Sequence, residues 1–515
     1  MLQTNLLSWI LFFPTVAAIA LLFVPEEERG VLRWSALTAS LVPFVLSLVA
    51  WVRFSQAGIS PTGFYLEETA TWYSAIFASY HIGIDGISLS MVLLTTLLTP
   101  LAILASFSIT ERVKPYMILF LLLETGMLGV FMALDLLLFF VFWEIGLVPM
   151  YFLISQWGGK NRNYAALKFI LYTMAGSLGL LLAIQMIGVV AGTFDYSGLR
   201  TIWPTLQADS PTLTLGSWTL TTSVVKEIAF WAFVVAFAIK VPVWPFHTWL
   251  PDAHTEAPTA GSMILAGVLL KLGAYGFLRL VLPLYPDEAL KFAGALAVLA
   301  TLAIVFGAFS AYGQDDFKRL VAYSSINHMG FVVLGIAAAA AAKGTENSVI
   351  AMNGAVLQMF NHGLYSAGMF FLVGVIYERA HTRDLNAFGG LYALLPVYGT
   401  VLIFTSMASL GLPGLNGFVS EFLVVRGAWP VMTVATAVSM IGLFFTGAYT
   451  LKALKKVLHG PVNERWGHGG GHGHLTEMNT REFVVIAPLM VLILVIGIWP
   501  AWIIDMINKA VVLLF

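Results

Sequence analysis

The sequence contains no cysteine. That excludes disulfides, thiolate-ligated zinc, cysteine-held iron–sulfur clusters and thiol catalysis within the chain. Charge is scarce too. Asp, Glu, Lys and Arg make up 10% of 515 residues, where a soluble domain carries about 25%. The 26 basic and 27 acidic residues nearly cancel, leaving a net charge of −1. No basic field is available to hold nucleic acid. The opening MLQTNLLSWILFF has no basic flank before its apolar run, so it reads as a retained first span, not a signal peptide.

What the chain has is apolar length. Hydrophobic residues reach 59% and aromatics 13%, and apolar runs of about 20 residues recur from end to end. The pattern predicts an all-α polytopic membrane protein of about fourteen spans. They fall near 2–24, 32–54, 86–108, 114–132, 134–154, 164–191, 224–245, 258–282, 290–311, 319–341, 349–377, 391–428, 431–456 and 484–505. Only Asp135 punctuates spans four and five, and span twelve contains LGLPGLNG. Sixteen Lys and Arg fall in connections after odd-numbered spans, Lys168, Lys318 and Arg383 among them. Eight fall after even-numbered spans or at the C-terminus, Lys226 and Arg279 among them. The positive-inside rule then puts the odd connections in the cytoplasm and both termini outside.

That assignment leaves two cations inside spans, Lys240 and Lys271. A charge at the centre of a span costs roughly 2.5–3.5 kcal/mol, so each needs a partner or a use. Three acids share their depth: Glu124 in LLLETGMLG, Glu144 in FVFWEIGLV and Glu421 in NGFVSEFLVV. His328 and His362 lie in spans ten and eleven. A single buried Lys–Glu pair is often a structural staple. Seven titratable groups on seven helices form a larger set than stapling needs, and such a set marks an ion or proton path.

Two spans carry helix breakers beside a buried charge. Span seven reads AIKVPVWPFHTWLPDAH, with Pro242 and Pro245 just after Lys240. Span twelve has Gly411, Pro413, Gly414 and Gly417 ahead of Glu421. Proline frees backbone carbonyls that lipid cannot satisfy, so such breaks line cavities or meet other helices. Paired breaks five spans apart predict two inverted five-helix repeats. They would be spans four to eight (111–283) and nine to thirteen (284–458), flanked by an N-terminal unit 1–110 and a C-terminal unit 459–515. Lys240 then corresponds to Glu421.

The stretches KVPVWPFHTWLPDAHTEAPTAGSMILAGVLLKLGAYGFLR, FWEIGLVPMYFLI, AYSSINHMGFVVLGI and LPGLNGFVSEFLV resemble the antiporter-like, proton-translocating subunits of complex I, subunit M (chain 4) above all. The resemblance implies that Glu144, Lys240, Lys271 and Glu421 carry protons, with Glu124 as a secondary acid and His328 and His362 linking two half-channels. It implies no cofactor in this chain. NADH, flavin, iron–sulfur clusters and quinone belong to other subunits, and antiporter-like subunits L and N are expected as neighbours in a bacterial inner membrane. Glu rather than Lys at position 421 separates M from its paralogues. The rival readings are a cation/proton antiporter subunit and the equivalent subunit of a ferredoxin- or hydrogenase-linked complex.

Other residues carry less. His247 and His254 flank WLPDA as a proton entry or, more simply, as caps of the connection with Asp252. No third ligand makes them a zinc site. Asp85 and Asp135 read as helix N-caps. Lys168 reads as a loop charge or as the mouth of the path. GHGGGHGHL (467–475) reads as a solvated linker more readily than a metal site. Trp51, Trp157 and Trp499 read as interfacial belt.

Overall fold

A computed structural model of the chain describes residues 5–57, 60, 62–208, 211–215, 218–466 and 475–515. Most of the Gly/His tract 467–475 lies outside them. Twelve helices among the described residues are long and apolar enough to cross a membrane. Two further expected spans hold shorter apolar helices, Leu6–Leu21 and Pro396–Leu410. Burial sorts the spans into layers. Span eight, Thr259–Leu284, and span eleven, Glu346–Ala380, are wholly buried over their apolar windows, and span ten, Phe317–Ala341, nearly so. Span two, Arg29–Gln56, span thirteen, Thr433–Leu458, and span fourteen, Thr480–Ile498, expose most of theirs. The buried spans eight, ten and eleven carry Lys271, His328 and His362, polar groups that lipid cannot satisfy and that belong at the centre of such a bundle.

The helical bundle carries two short hairpins in its connections. Residues Tyr65–Tyr73 pair antiparallel with Ala78–Ile84, and Pro211–Leu215 with Trp218–Thr221. The first hairpin lies across the ends of spans three to five. Leu134 N–H donates to His81 O at 2.8 Å, and Ile82 bridges to Ala133. Leu136 N–H donates to Phe194 O, tying in the loop before a short helix, Tyr196–Thr205. This end is called the hairpin face below. The last span is also shorter than expected. It ends at Ile498, and a separate helix, Ala501–Val511, packs its Met506 carbonyl against Gly86 so closely that a Cβ there would sit at 1.8 Å.

Both predicted breaks are present. Span seven is helical over Thr222–Lys240 and again over Trp249–Glu256. The orphaned carbonyls between the halves are met by protein donors. Val243 N–H reaches Ala238 O at 2.8 Å, and the Trp249 indole N–H reaches Ile239 O at 2.8 Å. Span twelve runs Pro396–Leu410, then Asn416–Ala428. Gly411 and Gly414 take φ of +82° and +93°, where L-residues with a Cβ are strained.

Candidate functional site

Lys271 sits at the centre of span eight, fully buried. The helix around it is irregular. Wide i→i+5 turns occupy Leu265–Leu269 and Phe277–Val281, on either side of it. Such turns release a carbonyl from the regular ladder and are frequent at functional sites. Here the Lys271 ammonium donates to Ala266 O, five residues back. It also meets His362 Nδ1 of span eleven at 2.6 Å. For that contact His362 Nδ1 must accept, which puts the proton of the neutral ring on Nε2. Nε2 is buried with no hydrogen-bond partner.

The polar chain continues toward span twelve. The His362 and His328 rings lie 5.8 Å apart between centroids, and Tyr365 contacts both at 5.4 Å. His328 Nδ1 meets Glu421 Oε1 at 2.8 Å, while its Nε2 faces Ser409 at 3.2 Å and Tyr449 at 3.3 Å. Gln358 Nε2 donates to Glu421 Oε1 at 3.0 Å and to the Tyr365 hydroxyl at 3.1 Å. Glu421 Oε2 has no hydrogen-bond partner and lies at the break. A Cβ on Gly411 would be 3.3 Å from it.

The structure therefore brings Lys271, His362, His328 and Glu421 together. It leaves the other half of the set looser. Lys240 is the last residue of the first half-helix of span seven, 2% exposed, with its Nζ over the Trp143 ring at 5.1 Å. It makes no ion pair among the described residues. Gly273 of span eight lets Lys240 approach, since a Cβ there would be 2.9 Å from Lys240 Cβ. Glu144 stands next to Trp143 and is half-buried, between the exposed side chains of Val141, Ile145 and Val148. One of its oxygens is buried without a partner. Glu124 is fully buried, and both of its oxygens lack partners.

Several secondary expectations are corrected. His254 does not cap the connection with its ring, which is fully buried, has no hydrogen-bond partner and stacks on Phe370 at 4.3 Å. His247 is half-buried with its Nδ1 unpartnered. The carbonyls of that connection are met by other cations. Lys318 reaches Ala257 O, and Arg383 reaches Thr255 O. Lys318 is thus a buried residue of span ten and not a loop charge. Together with Arg383, Glu256, Glu378, Tyr116 and Ser106 it lines a cavity of about 230 Å³ at the end opposite the hairpin face. Lys168 lies within the span-six helix, Arg162–Ala191, and pairs with Asp252 at 2.7 Å. Lys226 is buried as well, donating to Pro204 O at 3.0 Å.

Arg279 is the functional-looking residue that is counted from sequence with the connection charges although it falls inside the expected span 258–282. Span eight runs to Leu284 and leaves Arg279 2% exposed. It pairs with Asp85. Asp85 does cap span three, accepting from Ile87 N at 3.0 Å and Ser88 N at 2.9 Å. Asp135 caps span five likewise. On the hairpin face, His81 is clasped by Asp195 at 2.6 Å and Glu67 at 3.0 Å. Burial lowers the His81 pKa, but these carboxylate hydrogen bonds outweigh it and the net shift is upward. For Asp195 burial acts upward, and the His81 and Gly198 hydrogen bonds carry the net shift down.

The NADH:quinone oxidoreductase/Mrp antiporter transmembrane family matches residues 133–446, and the amino-terminal family of NADH-ubiquinone oxidoreductase chain 4 matches residues 31–139. NADH-quinone oxidoreductase subunit M of Rhodobacter capsulatus is 43% identical over 513 residues, covering 98% of this chain and 96% of the relative. NAD(P)H-quinone oxidoreductase chain 4 1 of Synechococcus elongatus is 40% identical over 501 residues, 96% of this chain and 88% of the relative. A chain of respiratory complex I from Thermus thermophilus with bound NADH superposes with a TM-score of 0.83 at 27% identity, covering 99% of this chain and 100% of that one. A chain of the Mrp complex from Dietzia sp. shares the fold at a TM-score of 0.80 and 24% identity, over 98% of this chain and 52% of that one. The chain belongs to the NADH:quinone oxidoreductase/Mrp antiporter family of membrane subunits.

Proposed function

We propose that this chain is the proton-translocating subunit M of a respiratory NADH:quinone oxidoreductase. The observation that carries the reading is the buried run Lys271–His362–His328–Glu421, three of whose members are wholly inaccessible and the fourth nearly so. Hydrocarbon would expel these groups unless they were used. Quinone reduction in other subunits supplies the energy, and the NADH, flavin and iron–sulfur chemistry resides there. Antiporter-like subunits L and N adjoin this one in a bacterial inner membrane, with both termini on the outer side.

Protons enter from the end that holds the Lys318–Arg383 cavity and reach Lys240 at the first break. When Glu144 closes on Lys240, it stabilises the ammonium. When the pair opens, the low-dielectric surroundings favour the neutral amine, and the proton passes to Lys271. Glu144 sits beside exposed apolar side chains, so a neighbouring subunit can move it. Lys271 protonates His362 at Nδ1, and His362 Nε2–H then passes a proton on. A bridging water spans the gap to His328. His328 delivers to Glu421, which exchanges with bulk beside the second break. Spans four to eight and nine to thirteen act as inverted half-channels, with Glu124 a secondary acid of the first.

Lys240→Ala in the assembled complex tests this. Proton pumping per electron is expected to fall while electron transfer continues; undiminished pumping would sink the role given to Lys240. The shared family favours one second reading, a cation/proton antiporter subunit. Sodium- or potassium-dependent proton movement without electron transfer would support it.

A further inference from the structure

A two-sided path would short-circuit the gradient it builds. The half of the path at Lys240 and Lys271 therefore has to be closed toward the hairpin face while the cavity at Lys318 leaves its other end accessible. The hairpin face is where the structure concentrates its closures. Leu134, Leu136 and Tyr196 N–H groups each donate across elements there at 2.8–2.9 Å. The hairpin, the Phe194 loop and the C-terminal helix all pack over it.

Beneath that cover lies a fixed cation. Arg279 is eight residues beyond Lys271 on span eight, about 12 Å by helical rise. The wide turn Phe277–Val281 contains it, and Tyr275, four residues back, shares its face of the helix. Its Nε donates to the Tyr275 hydroxyl at 3.2 Å, and that hydroxyl donates to Phe131 O at 2.9 Å. Its terminal nitrogen meets Asp85. Its guanidinium lies 5.0 Å from the Phe64 ring, 5.4 Å from Tyr275 and 6.0 Å from Tyr196. A guanidinium stays charged at every physiological pH, cannot relay a proton, and is enclosed here by three aromatic rings. A buried ion pair contributes little net stability over an apolar replacement, so its retention calls for another reason.

We propose that Arg279, held by Asp85, is the seal that closes the hairpin end of the Lys271 path against protons. A permanent cation enclosed by aromatic rings repels hydronium as positive barriers do in selective pores. Arg279 is a positioning residue here, since no transported proton resides on it. The seal rests on the proton-path reading above and adds to it the residue that makes the first half one-sided.

The test is passive proton entry into liposomes holding the whole complex, driven by a potassium diffusion potential, with no electron donor present. Arg279→Gln is expected to raise the leak per assembled complex about tenfold, and Arg279→Lys, whose buried ammonium can lose its proton, to leak more than wild type and less than Arg279→Gln. Lys271→Ala in the Arg279→Gln background is expected to close the leak again. A leak that survives without Lys271 overturns the placement of the seal on that path. An Arg279→Gln complex as tight as wild type overturns the seal itself. Should Arg279→Gln fail to assemble, Arg279→Met, which keeps an apolar stem among the three rings and removes the charge, replaces it; a leak supports the seal and tightness overturns it. Because no electron transfer is involved, loss of pumping in Lys240→Ala and leak in Arg279→Gln fail independently.

Discussion

At the residue scale, Lys271 and Glu421 end the contiguous run and are read most directly from their contacts. Glu421 accepts from His328 and Gln358 on one oxygen and leaves the other unpartnered at the Gly411 break. Glu421→Gln removes the proton-binding oxygen while keeping the shape. Proton delivery is expected to slow by about a hundredfold, the scale of a lost acid–base group, with the complex still assembled. Vesicle acidification rates check this. Lys240, Lys271, Glu124, Glu144, His328, His362 and Glu421 were legible in the sequence as ionisable groups in apolar runs. Arg279 was not. It falls three residues inside the expected end of span eight at 282, close enough to the edge to be counted with the connection charges. Its partner Asp85 was legible only as a cap. His254 was misread because sequence shows the proline-rich connection around it, not the Phe370 ring that buries it.

At the element scale, the breaks depend on small residues at close approaches. A Cβ on Gly417 would lie 2.1 Å from Ala408 O, across the break of span twelve. Gly417→Ala is expected to destabilise the subunit by about 1–3 kcal/mol through overpacking. Gly294 in the span-nine helix has nothing within 4 Å of its Cβ position. There Ala should stabilise slightly, by up to about 1 kcal/mol. Thermal denaturation of the purified complex carrying each variant separates the two. The hairpin supplies a pH prediction. His81 has a raised folded-state pKa, so its clasp is fully present below the ordinary value of 6.5 and is lost as pH rises through the raised one. Asp195 has a lowered pKa, so its share is present above 3.8 and is lost as pH falls through the lowered value. Amide exchange in Tyr65–Ile84 is therefore expected to accelerate on the alkaline side, and His81→Phe to flatten that response. Both breaks were legible from Pro and Gly. The hairpins were not, because YLEETATWY exposes both strand faces and carries no alternation for the eye to follow.

At the scale of the whole molecule, centrality follows titratable content. The most buried spans, eight, ten and eleven, carry Lys271, His328 and His362, while spans two, thirteen and fourteen present apolar surface outward. That these spans hold ionisable groups was legible in the sequence. Which spans touch was not, since residues 93 apart in sequence meet at His328 and Glu421. The central claim is that electrons moving elsewhere drive protons through Lys271. The most direct measurement is the ratio of protons pumped to electrons transferred by the Lys271→Met complex in sealed, oriented vesicles. A ratio below that of the wild-type complex, with electron transfer to quinone continuing, is the predicted result. A wild-type ratio in that variant would contradict the account.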